Sequence, residues 1–213
     1  MKKKILVACL CVALAVLTIA GTTLAYLTAN DQVVNTFTVG NVQIKLDEAK
    51  ANTDGSLYDQ GSTRVQANSY KLIPGPTYNK DPMVTFLSGS ESSYIKMTVT
   101  FTKAAELDAI FAPNGGANLI RIFNGYNSTN WIYKGNTEGS DDTRTYEFWY
   151  KDAVAAPTAD VELDALFDSI TVPGNITGDQ LKTIAGMTIT VNAYAIQADG
   201  FDTADAAWAA YTA

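Results

Sequence analysis

The sequence has 213 residues, with 22 acidic and 15 basic side chains, no histidine and two cysteines. The acidic balance argues against nucleic acid and anionic membrane surfaces as partners, because both require a basic face on the protein. The absence of histidine excludes Ser-His-Asp and Cys-His catalytic arrangements and the H-E-x-x-H zinc motif. We therefore predict a protein that is not an enzyme and needs no cofactor.

The chain begins with the three parts of a secretion signal. Three lysines at positions 2–4 precede an apolar stretch over residues 5–20, and a small residue, Ala25, ends the region. This pattern predicts a signal peptide over residues 1–25, cut by a signal peptidase between Ala25 and Tyr26. A retained N-terminal anchor is the alternative. The predicted location is outside the cell, in an extracellular matrix or at the cell surface.

The two cysteines, Cys9 and Cys11, both lie inside this signal. The mature chain would therefore contain no disulfide and no thiolate ligand. An exported domain of this length can instead be held by its hydrophobic core and its hydrogen bonds.

The first long strand is predicted over residues 37–46. Its apolar residues change from odd to even positions across Gly40 and Asn41, whereas side chains in a regular strand alternate between faces. A β-bulge at Gly40 and Asn41 restores one apolar face, because glycine tolerates the backbone angles that a bulge needs. A two-residue hairpin turn at the same Gly-Asn pair is the alternative interpretation.

The rest of the chain shows the short apolar runs of a sheet protein. After a polar stretch over residues 49–69, residues 93–103 give the clearest strand, because apolar and polar side chains alternate along all of it. Residues 161–167 fit a helix or a strand equally well. Further strands are predicted over residues 83–87, 119–123, 131–134, 143–151 and 187–196, the last as a central strand.

Three short helices complete the predicted elements. Residues 104–111 have a helical apolar pattern, and the Pro-Asn-Gly-Gly run at 113–116 ends it. A second helix ends at residue 184 and is capped by Thr177 or Asp179, and a third covers residues 204–211 and is capped by Asp202 or Thr203.

Several strand-like runs resemble the TasA and camelysin family, which are secreted Gram-positive proteins that build biofilm-matrix fibres. The resemblance covers both ends and the middle of the chain, while residues 103–190 match no motif of the family. Camelysins have been described as metalloproteases, but this chain lacks histidine ligands for that chemistry. The runs are TTLAYLTAND (22–31), NTFTVGNVQIKLDE (35–48), LIPGPTYNKDPMVTF (72–86), SSYIKMTVTF (92–101) and VNAYAIQADGFDTADAAW (191–208).

This resemblance implies a fibre subunit that assembles by strand donation. Residues 26–35, which we call the donor segment, would leave their own subunit after signal cleavage and fill an open sheet edge in the next one. The alternative is a mobile N-terminus or an edge strand of its own sheet. The donor residues are Tyr26, Leu27, Thr28, Val33 and Val34.

Two other groups of residues are candidate ligand sites. The aromatic side chains between Trp131 and Tyr150 could form a platform for sugar stacking, although aromatic pairs are also ordinary sheet stabilisers. Asp141 with Asp142 could bind calcium through oxygen, and so could the set Asp199, Asp202 and Asp205. Neither set has the spacing of a calcium-binding loop, so a solvated turn is the simpler interpretation.

Taken together, these observations predict a mainly β protein: a jelly-roll-like antiparallel β-sandwich with two or three short peripheral helices, formed by residues 36–213. The predicted function is a structural subunit of an extracellular biofilm-matrix fibre. Its partners would be copies of itself, the signal peptidase, and an accessory protein that starts or anchors the fibre. The alternatives are a monomeric surface module that binds glycan or a host ligand, and a hydrolase that uses paired carboxylates.

Overall fold

A computed structural model describes residues 40–111 and 122–211 of the chain. This part is mainly β, with three antiparallel sheets. The described strands are β1 (Ile44–Ala49), β2 (Arg64–Val65), β3 (Thr77–Asn79), β4 (Met83–Phe86), β5 (Ser93–Thr102), β6 (Phe123–Asn124), β7 (Trp131–Glu138), β8 (Thr143–Tyr150), β9 (Val161–Glu162), β10 (Ser169–Thr171) and β11 (Ile189–Gln197). The described helices are α1 (Ala104–Phe111), α2 (Gly178–Thr183) and α3 (Ala204–Ala210), with one 3-10 turn at Asp59–Gly61.

The four longest strands form one sheet in the order β11-β5-β8-β7. The strand predicted over residues 93–103 is confirmed as β5, where Ile95, Met97, Val99 and Phe101 are fully buried and the residues between them are partly exposed. This alternation lets one face of the sheet cover the core while the other faces outward.

Two smaller sheets contribute to the same core. One has the strand order β2-β1-β4-β9 and the other has the order β3-β10-β6. One cluster of buried side chains draws on all three sheets, and Phe123 stacks on Phe167 with 3.9 Å between ring centroids. Trp131 is fully buried, and its indole N–H donates to the carbonyl of Asp164 at 2.9 Å.

The predicted helices form within one or two residues of their expected bounds. Thr177, rather than Asp179, caps α2, because its hydroxyl accepts from the Gln180 N–H and the Gln180 side chain accepts from the Thr177 N–H. Thr203, rather than Asp202, caps α3. This helix lies on the outer face of the long sheet, where the Trp208 ring contacts Trp149 with 6.1 Å between centroids.

Three sequence predictions change. The strand predicted to be central, residues 187–196, is β11, which lies at the edge of the long sheet within the described chain. Residues 161–167 form only the two-residue strand β9, after which three side chains turn into the core without regular structure. Of the described residues of the first predicted strand, only those from Ile44 onward form a strand.

The predicted bulge falls partly outside the described residues. Residues 37–39 are outside them, and Gly40 and Asn41 precede β1 without strand geometry. The Asn41 carbonyl accepts from the Glu91 N–H at 2.8 Å, and the Gln43 carbonyl accepts from the Leu87 N–H at 3.0 Å. The chain from Asn41 onward therefore already runs beside residues 87–91, while the bulge itself stays a prediction.

Candidate functional site

The strand β11 lies at the edge of the long sheet, and one of its two backbone edges is not paired with another described strand. Its nine residues pair with β5 along their whole length, and no other described strand pairs with β11. The Thr102 N–H donates to the Thr188 carbonyl at 3.2 Å, and the Ala198 N–H donates to the Ser92 carbonyl at 2.7 Å. Thr188 and Ala198, which flank β11, therefore both bond toward the β5 side. Because hydrogen-bonded positions alternate, the even-numbered residues between them are the ones bonded to β5.

Antiparallel pairing alternates along a strand, so the odd-numbered residues of β11 direct their N–H and C=O groups away from β5. These residues are Ile189, Val191, Ala193, Ala195 and Gln197. No other described strand pairs with these backbone groups, so the edge is open to another strand.

A groove of about 1270 Å³ runs beside this edge. The apolar side chains of β11 form one wall, and those of β1 and the segment around Leu72 face it. Pro82 and Ile170 also line the groove, and both are buried. Its apolar lining comes mainly from Ile44, Leu46, Val65, Leu72, Leu181, Met187, Ile189 and Val191.

The opposite wall, β1, also has an edge that is only partly used. Its residues 44–47 pair with β4, and only Glu48 and Ala49 pair with β2 on the other side. The strands β1 and β11 come within 8 Å of each other between Cα atoms but do not pair. The groove is therefore bounded by two strands whose facing backbone edges are free over part of their length.

A buried ion pair ends the apolar stripe on β1. Glu48 is 6% exposed and Lys80 is 8% exposed, and the Lys80 ammonium donates to the Glu48 carboxylate at 2.6 Å. Asn68 donates a second hydrogen bond to the same carboxylate at 2.9 Å. All three residues line the groove, so a buried ion pair is part of its surface beside the apolar side chains of β1 and β11.

A second group of ion pairs and hydrogen bonds joins β1 to the elements next to it. The Arg64 guanidinium donates to Asp47 at 2.8 Å and to Asp81 at 2.5 Å, and Asp81 also accepts from the Ala49 N–H at 2.6 Å. Arg64 thereby ties β1 and β2 to the turn that leads into β4.

The Asp47 carboxylate is nearly inaccessible, which would by itself raise its pKa. Hydrogen bonds from Lys45 and Arg64 outweigh that burial and lower the pKa below its ordinary value. The same wall contains Tyr70, whose pKa is raised by burial first and then by the Glu48 charge. The phenol therefore remains a hydrogen-bond donor, and it donates to the Asn79 carbonyl at 2.7 Å.

The residues predicted for export and donation lie outside the described part of the chain. This applies to the cleavage pair Ala25 and Tyr26 and to the donor residues Leu27, Thr28, Val33 and Val34. The structure does describe an open edge on β11 with a groove beside its first residues.

The two candidate calcium sets have different surroundings. The Asp142 side chain accepts from the Ala105 N–H at 2.9 Å and its carbonyl accepts from the Ala104 N–H at 3.0 Å, so Asp142 caps α1. Asp205 lies 3.4 Å from the Lys134 ammonium. Within residues 40–111 and 122–211, no three or more Asp, Glu, His or Cys side chains come together in a way that could hold a metal ion.

The aromatic group between β7 and β8 is divided between the core and the outer face. Trp131, Tyr146 and Phe148 are fully buried. Trp149 points the other way and is partly covered, by the Lys134 ammonium at 3.9 Å from its ring centroid and by Trp208. A stacking platform made from the whole group is therefore not available, and Trp149 is the ring that remains partly exposed on the outer face.

Sequence analysis did not identify the buried ion pair in the groove. Glu48 and Lys80 are 32 positions apart, and each lies in a run where charged and polar residues are common. One signal was available: the Lys-Leu-Asp-Glu run at 45–48 continues a strand into consecutive charges, which is unusual unless partners meet them.

Comparisons with models of protein families, with curated proteins and with solved structures found no match to this chain. A search of the described helices found none that is long and apolar enough to cross a membrane.

We predict that Arg64→Met destabilises the domain by about 3 kcal/mol, because it removes a partly buried cation that bonds both the buried Asp47 carboxylate and Asp81. Lys45→Met is the matched control. The Lys45 side chain is 54% exposed, so its loss should cost less than about 1 kcal/mol. Urea denaturation followed by tryptophan fluorescence measures both, and equal losses would show that Arg64 does not organise this wall.

Proposed function

We propose that the mature chain is an exported structural subunit of an extracellular, biofilm-matrix type of fibre. Each subunit donates its segment 26–35 to the groove beside β11 of the next subunit. The observation that carries this proposal is the open backbone edge of β11, whose first residues border a groove of about 1270 Å³ with a largely apolar wall on β1 and β11. The resemblance of the N-terminal runs to TasA-like fibre proteins supports the same function.

The composition of the donor segment suits such an edge. In an extended strand, alternate side chains share one face, so Leu27, Ala29 and Val33 would point into the groove together. The inserted backbone would satisfy the outward N–H and C=O groups of the odd-numbered β11 residues. Each hydrogen bond contributes on the order of 0.5–1.5 kcal/mol net, and the apolar side chains add burial.

Donation of this kind is head to tail, because the donor and the groove are different surfaces of one subunit. Such a contact does not close on itself and produces filaments. Signal cleavage after Ala25 would release the donor segment, which couples export to assembly. We propose a jelly-roll-like sandwich for the completed subunit, in which the donated strand extends the long sheet beyond β11.

The partners under this proposal are further copies of the chain, with an accessory protein that starts or anchors the fibre. The role is structural rather than catalytic. A monomeric module that binds glycan through Trp149 is the second candidate, supported by the partial exposure of that ring on the outer face. It predicts a monomer that loses ligand binding on Trp149→Ala, whereas the fibre proposal predicts no effect of that change on donor docking.

We predict that protein beginning at Tyr26 forms regular filaments and that protein beginning at Thr36 remains a folded monomer, because only the first retains the donor segment. Electron microscopy and light scattering on both, at matched concentration, measure this. Circular dichroism checks that the shorter chain keeps its sheet signal. Filaments from the shorter chain would contradict donation, and monomers from both would favour the binding module.

We predict that Ala193→Pro blocks assembly without unfolding the subunit. The Ala193 N–H faces the open edge, so proline removes a donor that the incoming strand needs while the bonds to β5 from the neighbouring residues remain. Ala193→Ser, which keeps the N–H, is the control and should assemble normally. Thermal melts and light scattering on both variants test this, and normal filaments from Ala193→Pro would show that β11 is not the acceptor edge.

A further inference from the structure

The Lys80 ammonium is a buried cation with unused hydrogen-bonding capacity in the lining of the groove. Its side chain is 10% exposed, and within the described residues its ammonium makes one hydrogen bond, to Glu48. An ammonium group has three donors. Because Lys80 lines the groove, its remaining donors are available to whatever occupies the cavity.

The other two lysines that line the groove differ from Lys80. The Lys45 side chain is 54% exposed and that of Lys182 is 80% exposed, and each already pairs with a carboxylate on its own element. Solvent reaches both of these ammonium groups and weakens their ion pairs. Of the three lysines that line the groove, Lys80 is therefore the one whose side chain is largely removed from solvent.

The donor segment carries one acid on its apolar face. The odd-numbered positions from 27 to 33 are Leu, Ala, Asp and Val, so Asp31 shares a face with Leu27, Ala29 and Val33. If those apolar groups enter the groove, the Asp31 carboxylate enters with them. A buried carboxylate is costly unless a cation or several donors meet it.

We infer that Asp31 of the incoming segment pairs with Lys80 of the receiving subunit, and that this pair sets the register of the donated strand. The inference rests on the proposed function, since it names the contact that an inserted second copy would make. The lining of the groove follows the same order as the donor, with apolar groups before a charged one. On β1, Ile44 and Leu46 are followed by the Glu48 and Lys80 pair. Glu48 keeps its hydrogen bond from Asn68 when Lys80 contacts the occupant.

The Asp31 and Lys80 pair selects one register among those that side-chain alternation alone allows. A slip of one residue turns every apolar side chain of the donor to the wrong face, so alternation already excludes it. A slip of two residues keeps Leu27, Ala29 and Val33 inward but moves Asp31 among apolar side chains. Only the pairing of Asp31 with Lys80 distinguishes the correct register from that slip.

A double-mutant cycle tests this contact in the mature chain beginning at Tyr26. A hydrogen bond to a charged group contributes about 1.5–3 kcal/mol, so Asp31→Asn should raise the critical concentration for assembly roughly tenfold or more. The groove variant is Glu48→Gln with Lys80→Met, which removes both charges and leaves no carboxylate unpaired. It should raise the critical concentration by a similar factor.

The decisive result is the combination of the two changes. If Asp31 acts through Lys80, adding Asp31→Asn to the groove variant does not raise the critical concentration further and lowers it where the unpaired Asp31 carboxylate is itself costly. Two independent effects would instead multiply to roughly a hundredfold and would overturn the inference. Asn30→Ala, on the opposite face of the donor, and Lys182→Met, at an exposed groove lysine, are the matched controls and should assemble normally.

This design separates the inference from the proposed function. Assembly by the chain beginning at Thr36 would contradict donation itself. Loss of assembly in that chain, together with normal assembly of Asp31→Asn, would leave donation standing and overturn the role of Lys80. If circular dichroism shows that the groove variant does not fold, the comparison of Asp31→Asn with Asn30→Ala decides alone, and equal critical concentrations overturn the inference.

Discussion

The unpaired backbone edge of β11 is the constraint on which this account depends. A strand of nine residues in the long sheet directs the N–H and C=O groups of its odd-numbered residues away from β5, and its first residues, Ile189 to Val191, border the groove. Polar backbone groups beside an apolar surface need either water or a partner strand. Because the neighbouring walls are apolar, a strand with alternating apolar side chains satisfies both the backbone and the cavity.

The rest of the structure holds that edge in place. The fully buried face of β5 anchors the long sheet to the core, and β11 is paired to β5 along its whole length. On the other side, the Arg64 network joins β1 to β2 and to the turn before β4, so the facing wall is also fixed. The groove is thus formed by elements that are held by their packing elsewhere, and a preformed site costs less to order on binding.

Sequence patterns predicted the local elements well where one face of an element is fully buried. The β5 alternation and the α1 pattern are examples, since burial imposes a period of two or of 3.6 on the side chains. The same reasoning misplaced β11 as a central strand, because its odd-numbered residues are apolar whether they face a core or an empty groove. An alternating pattern shows which face of a strand is apolar, but it does not show whether the strand has a neighbouring strand at each of its two edges.

The ion pair in the groove could not be predicted for a related reason. Glu48 and Lys80 come together through the β1 and β4 pairing, and no local pattern in either stretch encodes that contact. Thr177 and Thr203, in contrast, cap their helices through bonds to residues three positions away, so their candidates were visible in sequence. Long-range pairs require the register of the sheet, which only the folded structure supplies.

The central claim is that one subunit's donor segment occupies another subunit's groove, and mixing two assembly-defective chains tests it most directly. The chain beginning at Thr36 has a groove and no donor, and the Ala193→Pro chain beginning at Tyr26 has a donor and a blocked groove. Light scattering after size-exclusion chromatography should find each alone as a monomer and the equimolar mixture as a one-to-one heterodimer that does not grow further. A mixture that remains monomeric, while the unaltered chain forms filaments, would contradict donation into the β11 groove.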